Sequence, residues 1–561
     1  MRSTAHVQLL LSTEELTVPE TVGAHRPQGD LRGVRTALAA HGLVDAPTRA
    51  AAVVVVTRDA PPPGGTAVDG VPVRTADSLL GALALAHRTL ADGAEDLVLV
   101  VSLPGAPGTV RVTRVTRRGA PRDREPDGTP ADDTSRLLLW SGRTPADAAG
   151  SRARMRAVAR ALTDDVFRAL PAVVPCGPAA GAVRGAALCP RADPAAALDA
   201  AEQVTAGRPR PVALLFPGQG SQHAAMAAGL YARDQVFTEA VDTVLGLMGA
   251  EGAAVRADWL SPHDPVVPVD DVRRAQPLLF AVDYALGSMV MSWGVRPTAL
   301  LGHSAGELVA AVFAGVVSLG DAVAMMRSRV RHALSVPAGG MLAVAASAER
   351  LRPYLVGEVA VAAVNARLQT MLAGPAAPLS AVGKRLRDDG YTVVTVPATS
   401  PFHSPAMAPA SAAVERAYAG MRFRPPGLAL YSGYTGGLMG EREALSPRFW
   451  ARQITDTVYF GPALDQLLAA EDMLLVEAGP RQTLTSFARR HPAVRSGASA
   501  VAPLLPARPS DPAADRRTVL GAVSRLWTEG HDLDTAALET LWSGGPGTQA
   551  RGPLPAAGRR R

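Results

Sequence analysis

Lysine is almost missing from this sequence. Lys384 is the single one, so arginine supplies all but one of the 57 basic residues. The arginines are dispersed among 51 acidic residues, and the net charge is only +6. That dispersal argues against nucleic acid, which calls for basic groups gathered on one face. The one basic knot, Gly558-Arg559-Arg560-Arg561, reads as a solvated tail. Cysteine is as scarce: Cys176 and Cys189 allow a single bridge at most, which excludes a disulfide scaffold and points to a reduced, cytoplasmic chain. No Cys/His spacing of a metal site occurs, so no metal is expected. No apolar run reaches membrane-spanning length, and the opening MRSTAHVQLLLSTEE lacks a signal-peptide pattern, so no membrane partner is expected. Aromatic residues make up 4%, which leaves small side chains to fill the cores.

There is enough apolar material for several cores. Over 561 residues the hydrophobic fraction is 47%, too long a chain for a single core. Ala51–Val56 and Asp96–Val101 read as buried strands flanking a helix at Asp77–Ala91. Gly105–Pro130, rich in Gly, Pro, Arg and Asp, reads as a linker. A strand at Ser135–Gly142 and a helix at Ala146–Asp165 follow. The texture changes at Pro211–Phe216, a strand that runs into Pro217-Gly218-Gln219-Gly220. Helical patterns cover Ala224–Leu247 and Gln276–Trp293, a strand covers Thr298–Leu301, and a helix starts near Ala305. Residues 338–398 alternate strand and helix on a smaller scale, as an inserted α+β unit does. A helix at Met407–Met421, a strand at Leu428–Ser432, helices near Pro447–Ala469, a strand at Met473–Glu477 and a helix at Arg516–Glu529 complete the pattern.

The chemistry concentrates at strand ends. Gly302-x-Ser304-x-Gly306 has the form of a nucleophile elbow, in which a sharp strand-to-helix turn projects the serine hydroxyl. An ordinary strand–helix turn is the competing reading of a pattern this short. A serine alcohol needs a base within hydrogen-bond reach. His303 is adjacent to it, but neighbours on a turn diverge; His403, on a loop between regular elements, is one of several other candidates among the 11 histidines. Oxyanion donors are expected at the Ala305 amide and on the Phe216–Gly220 loop, which also reads as a plain β-turn.

Several longer motifs, "LLFPGQGSQ", "AQPLLFAVDYALGSMVMSWGVRPTALLGHSAGELVAA", "FHSPAM" and "VEAGPRQTL", resemble the acyltransferase domains of modular polyketide synthases and the related malonyl-CoA:acyl carrier protein transacylases. The resemblance covers residues 210–505 in order. It implies an α/β fold: an α/β-hydrolase-like acyltransferase core with an inserted ferredoxin-like subdomain at 338–398, preceded by an α/β linker region. It implies that Ser304 becomes an acyl ester and that His403 is its general base. Gln219 would line the oxyanion hole beside Ala305. Arg329 would grip the free carboxylate of a malonyl-type substrate, with Arg327 as the competing position and a surface charge otherwise. Gln453 would supply the backbone carbonyl that orients His403. Phe402, His303 and Gln276 complete the substrate-binding candidates. The resemblance implies no bound cofactor, acyl-CoA and a phosphopantetheinyl acyl carrier protein as substrates, and other polyketide synthase subunits as further partners.

Phe402, just before His403, favours unsubstituted malonyl, whereas Ser400-Pro401 departs from both the malonyl and methylmalonyl patterns of such domains. A one-methyl difference is worth only ~1–3 kcal/mol, so the acyl group stays open. Residues 116–209 resemble the linker between ketosynthase and acyltransferase, and 506–561 a segment that follows the acyltransferase. Residues 1–115 fall where a ketosynthase should be, but no cysteine precedes Cys176; a degenerate ketosynthase-like remnant and an unrelated α/β region are both open. Asp77-Ser78-Leu79 has the look of a carrier-protein attachment site in surroundings that do not fit it. Transfer between carrier proteins, editing hydrolysis of carrier thioesters, and a non-catalytic docking scaffold are the alternatives.

Overall fold

The computed structural model describes six strands within residues 9–117, and residues 135–541 except 162–166, 168–169, 177–180, 262, 535–536 and 539–540. The described residues form two compact units. One draws on Met1–Pro209 and Val523–Ser543, the other on Arg210–Ala522.

The first unit carries two sheets. Strands β1 (Leu9–Thr17), β2 (Ala50–Val56), β3 (Ala67–Val68), β4 (Val71–Ala76), β5 (Leu97–Ser102) and β6 (Thr109–Arg117) lie in the order β1-β6-β5-β2-β4-β3. Strand β6 stands inside the stretch expected to be a linker. Its sequence, TVRVTRVTR, places β-branched valine or threonine at six of nine positions, and it pairs antiparallel with both β1 and β5; that strand propensity outweighs the Gly, Pro and Arg content around it. The helix expected at Asp77–Ala91, with its Asp77-Ser78-Leu79, lies outside the described residues. Strands β7 (Arg136–Gly142), β8 (Val173–Cys176), β9 (Val183–Cys189) and β10 (Gln203–Thr205) form the second sheet in the order β10-β9-β7-β8, beside a helix at Pro145–Ala161. Trp527 closes this unit: its Nε1 donates to the Trp140 and Gly185 carbonyls, and Arg184 stacks on its ring at 4.6 Å.

The second unit is built on a buried, mostly parallel sheet. Strands β11 (Val212–Phe216), β12 (Ala299–Gly302), β17 (Ala429–Ser432), β18 (Gly437–Leu438), β19 (Leu474–Glu477) and β20 (Ala500–Pro503) lie in the order β18-β17-β12-β11-β19-β20, with only β18 antiparallel. Every residue of β11, β12 and β19 is buried. Strands covered on both faces read as unbroken apolar runs, and "VALLF" and "ALLG" do. Alternate residues Ala213, Leu215, Ala299 and Leu301 share a core cluster with Leu464, Leu467 and Phe487. Chain order runs outward in opposite directions from the β11–β12 pair, so the carboxyl ends of these two strands form a topological switch point, where a crevice opens.

Strands β13 (Gly339–Val344), β14 (Ala360–Ala366), β15 (Gln369–Pro375) and β16 (Val393–Val396) form a wholly antiparallel sheet in the order β14-β15-β13-β16. With a short helix at Ala348–Leu351 and another at Ala376–Asp388, the chain reads β-α-β-β-α-β. This is the ferredoxin-like arrangement expected at 338–398, with its own core of Leu342, Leu351, Leu372 and Leu386.

One helical expectation shifts, and one helix is new. Residues 224–234 are turns rather than helix, with Ala225, Ala227 and Ala232 in left-handed backbone. The helix begins at Gln235 because the Asp234 carboxylate caps it, accepting from the Phe237 amide. A helix at Leu319–Ala333, not read from the sequence, carries Arg329; Ser318 caps it by accepting from the Asp321 amide.

Candidate active site

Three loops leave the sheet at matched heights. In β-sheet register Phe216 pairs with Gly302, and Gly302 with Ser432. Gln219, Ser304 and Tyr434 therefore stand two or three residues beyond paired strand ends, at one rim of the crevice.

The β11 and β12 loops cross very closely, and two glycines make that possible. A Cβ on Gly218 would lie 2.4 Å from the His303 carbonyl oxygen, and one on Gly306 would lie 2.1 Å from the Phe216 carbonyl oxygen. Between them Ser304 takes φ 53°, in the left-handed region that non-glycine residues rarely occupy. The helix Gly306–Phe313 starts at once, its first turns closed by the amides of Gly306 and Glu307 donating to the carbonyls of His303 and Ser304. Among the described residues, the amides of Ala305 and Gln219 have no acceptor. They lie on the two loops that cross at Ser304, two unspent donors of the kind an oxyanion needs.

His403 reaches the same point from a different loop. Its Nε2 lies 2.7 Å from Ser304 Oγ, 99 positions away in sequence. Its backbone is also left-handed, φ 63°, and its amide donates to the Ile454 carbonyl at 2.8 Å. Nδ1 meets the Asp456 carbonyl at 3.0 Å. A carbonyl can only accept, so Nδ1 holds the proton and Nε2 is free to take one from serine. The carbonyl expected from Gln453 is thus chiefly that of Asp456, with the Gln453 backbone a weaker partner of the same ring. Burial, the neighbouring His303 and Arg329 push the His403 pKa down to about 3.

The other expected residues are distributed around this pair. Phe402 is buried with its ring 6.4 Å from that of His403. His303 points away from Ser304 to the small subdomain, its Nε2 2.8 Å from Asn365 Oδ1 in β14. Gln276 donates through Nε2 to Gln219 Oε1 at 3.2 Å, leaving the buried Gln219 Nε2 without an acceptor among the described residues. The two arginines separate cleanly. Arg327 pairs with Glu251 at the surface, Nε to Oε2 2.8 Å. Arg329 is 3% exposed and donates to the Tyr418 hydroxyl, the Trp450 carbonyl and Gln453 Oε1. No carboxylate pairs with Arg329 directly among the described residues, and its Nη1 makes no hydrogen bond there.

Three groups escaped the sequence reading. Glu307, wholly buried one turn beyond Ser304, accepts from the Ser432 hydroxyl, the Gly433 amide and Gln453 Nε2. Burial drives its pKa up to about 8 against those donors and Arg329. The Asp456 carbonyl carries no side-chain signature at all. Tyr434, two residues past β17, was within reach of the reading, since loops at the carboxyl ends of parallel strands line such sites.

A nucleophile-ready serine, a neutral imidazole and two free amides at the switch point of a parallel sheet define a class of acyl-handling α/β proteins. Residues 213–524 match the family model of the acyl transferase domain, over half of the sequence, and the chain belongs to that family. A phenolphthiocerol/phthiocerol polyketide synthase of Mycobacterium tuberculosis is 37% identical over 324 residues, 58% of this chain and 22% of that protein. Mycoketide-CoA synthase of the same species is 36% identical over 326 residues, 58% of this chain and 8% of the relative. The chain thus matches less than a quarter of the length of these curated relatives. The acyltransferase domain from the second module of the salinomycin polyketide synthase superposes with a TM-score of 0.57 at 28% identity, covering 71% of this chain and 94% of that one. The acyltransferase domain of SpnD superposes with a TM-score of 0.60 at 27% identity, covering 72% and 98%. The matched region is an acyltransferase domain of the polyketide synthase family. Among the described residues no helix is long and apolar enough to cross a membrane, and no cluster of metal-binding side chains occurs.

Proposed function

We propose that this protein moves a malonyl-type acyl group from CoA, through an ester on Ser304, to the phosphopantetheine thiol of an acyl carrier protein. The observation that carries the reading is the 2.7 Å contact between Ser304 Oγ and His403 Nε2. In the first half-reaction Ser304 attacks the thioester carbonyl while its proton passes to His403 Nε2. The Ala305 and Gln219 amides hold the oxyanion. Collapse breaks the C–S bond, and the CoA thiolate leaves with the proton from His403. In the second half the pantetheine thiol gives its proton to His403, attacks the ester, and Ser304 leaves with that proton. His403 starts neutral, as a base must.

The malonyl preference rests on Arg329 and Phe402. A guanidinium with Nη1 unoccupied can still donate to a carboxylate, and a buried phenyl beside the base leaves little room at C2 of the acyl group. The similar acyltransferase domain of SpnD is described in complex with a 2-(pent-4-yn-1-yl)malonyl group, which supports a malonyl-type substrate here. Intact-mass labelling with malonyl-CoA tests the reading. One malonyl adduct forms on the native protein and none on Ser304→Ala; an adduct that persists in that variant places the nucleophile elsewhere. Equal labelling from malonyl-CoA and from uncharged acyl-CoA donors favours carrier-to-carrier transfer or editing hydrolysis instead.

A further inference from the structure

One polar atom at the site has no use in the scheme above. The Tyr434 hydroxyl is fully buried and makes no hydrogen bond among the described residues. Such a group normally finds a partner, because its desolvation is otherwise uncompensated. Its position is imposed by the surroundings. The Tyr434 amide donates to Ser432 Oγ, Ser432 Oγ donates to Glu307, and the Gly433 amide donates to the other oxygen of Glu307. Because Glu307 sits three residues beyond Ser304, the β17 loop is fastened to the helix that presents the nucleophile. The tyrosine ring is fixed by an edge contact with Phe449, centroids 6.3 Å apart, and it lies 6.2 Å from the His403 ring. The hydroxyl faces Ser304 and lies within the fields of Arg329 and Glu307.

The available acceptors can be taken in turn. Ser304 Oγ, which the hydroxyl faces without a well-formed hydrogen bond, is held by His403 and is the atom that becomes acylated; both ring nitrogens of His403 are engaged, by Ser304 and by Asp456. The carboxylate of Glu307 already takes three donors. An incoming thioester carbonyl is served by the free amides of Ala305 and Gln219. A leaving sulfur is a poor acceptor. What remains is the free carboxylate of the acyl group, two bonds from the reacting carbonyl and bound for Arg329. We propose that the Tyr434 hydroxyl is a second ligand for that carboxylate, donating one hydrogen bond beside the Arg329 guanidinium. The inference rests on the acyl-loading reading above and adds a specificity-determining residue to it. The arginine supplies charge; the tyrosine fixes where the second oxygen sits.

The test is Tyr434→Phe, which removes one oxygen and keeps the packing on Phe449. Loading from malonyl-CoA is followed by intact mass in single-turnover experiments over a range of concentrations. A lost hydrogen bond to a charged group raises the half-saturating malonyl-CoA concentration roughly 10- to 100-fold, with the plateau rate changed far less. Loading from acetyl-CoA, which lacks the carboxylate, is unchanged, and the melting temperature does not fall, because the variant buries no unpaired hydroxyl. An unchanged half-saturation overturns the inference, as does an equal loss with both donors, which would assign Tyr434 to the serine. Ser304→Ala in parallel separates the levels: labelling that survives it ends the acyl-loading reading, whereas labelling abolished there with Tyr434→Phe behaving as native ends this inference alone.

Discussion

Ser304 and His403 meet at 2.7 Å, and both do so from left-handed backbone, φ 53° and 63°. Neither is glycine, so each turn carries strain that the surrounding fold must impose. At Ser304 the imposition is visible: the β12 strand ends at Gly302 and the helix begins at Gly306, leaving three residues to reverse direction. At His403 the amide bond to the Ile454 carbonyl and the ring bond to Asp456 hold the residue from two sides.

Glycine at 304 should relieve that strain. Ser304→Gly and Ser304→Ala both lose the hydroxyl, so both should be dead to covalent loading. The glycine variant should unfold later than the alanine variant, by about 1 kcal/mol in urea denaturation, since glycine takes positive φ without steric cost. Equal stabilities of the two variants would show that the turn is not strained.

The arginines give a second contrast. Arg329 is clamped on three acceptors in the interior, whereas Arg327 holds an exposed partner, Glu251. Arg327→Ala should leave malonyl loading unchanged and cost less than about 1 kcal/mol, as exposed ion pairs do. Arg329→Ala should abolish the advantage of malonyl-CoA over acetyl-CoA. Arg329→Lys should recover it only in part, because a point charge cannot reach the Trp450 carbonyl, Gln453 and a carboxylate together. Loading rates from the two donors decide it; a selectivity that survives Arg329→Ala removes the arginine from recognition.

Much of this arrangement was legible because the strands that carry it are buried on both faces. Val212–Phe216 and Ala299–Gly302 are apolar throughout, so each was visible as a run, and the polar residues after each marked the switch point. Strand β6 was hidden by its arginines, and the helix at Leu319–Ala333 by a mixed composition that a capping serine alone did not announce. Ser304, Arg329 and Gln219 could be located by resemblance, since each lies in a motif. The Asp456 carbonyl could not, because every residue has one and only the folded path selects it. Glu307 and Tyr434 needed the register: knowing that Gly302 pairs with Ser432 brings position 434 to the rim where 304 stands.

The depressed pKa of His403 has a signed consequence for acidity. Burial holds it at about 3, below the 6.5 of an unfolded histidine. Between those values the unfolded chain binds the proton and the native state refuses it, so stability is intact above pH 6.5 and declines as pH falls toward 3. His403→Asn, which cannot titrate, should show a shallower loss of melting temperature from about pH 6.5 to about pH 4.5. Covalent loading by the native protein should in turn lack a limb near pH 6.5, because the imidazole is already neutral there. A loading profile that halves near that pH would mean that His403 titrates as an exposed histidine does.

A buried acid pair behind the β11 loop works in the opposite direction. Asp283 is 1% exposed and neither carboxylate oxygen has a partner among the described residues; burial and the adjacent Glu477 raise its pKa well above the usual range. Glu477, accepting from the Leu484 and Thr485 amides, is raised by burial to about 7. Both folded values exceed the unfolded ones, so their contribution is complete below about pH 4 and is lost as pH rises through the folded values. For Glu477 alone the shift from 4.5 to about 7 corresponds to on the order of 3 kcal/mol across that window. Pro217, which opens the β11 loop, and Asp283 both crowd Gly479: a Cβ there would lie 2.2 Å from Pro217 Cγ and 2.8 Å from Asp283 Oδ1. Ionising Asp283 therefore places an unpaired charge beside the first residue of the loop that carries Gln219. Asp283→Asn should flatten the fall in melting temperature between about pH 5 and about pH 8 and should preserve malonyl loading at the upper end better than the native protein does. Parallel pH profiles of the two proteins, in both measurements, would show that the acid pair does not govern this loop.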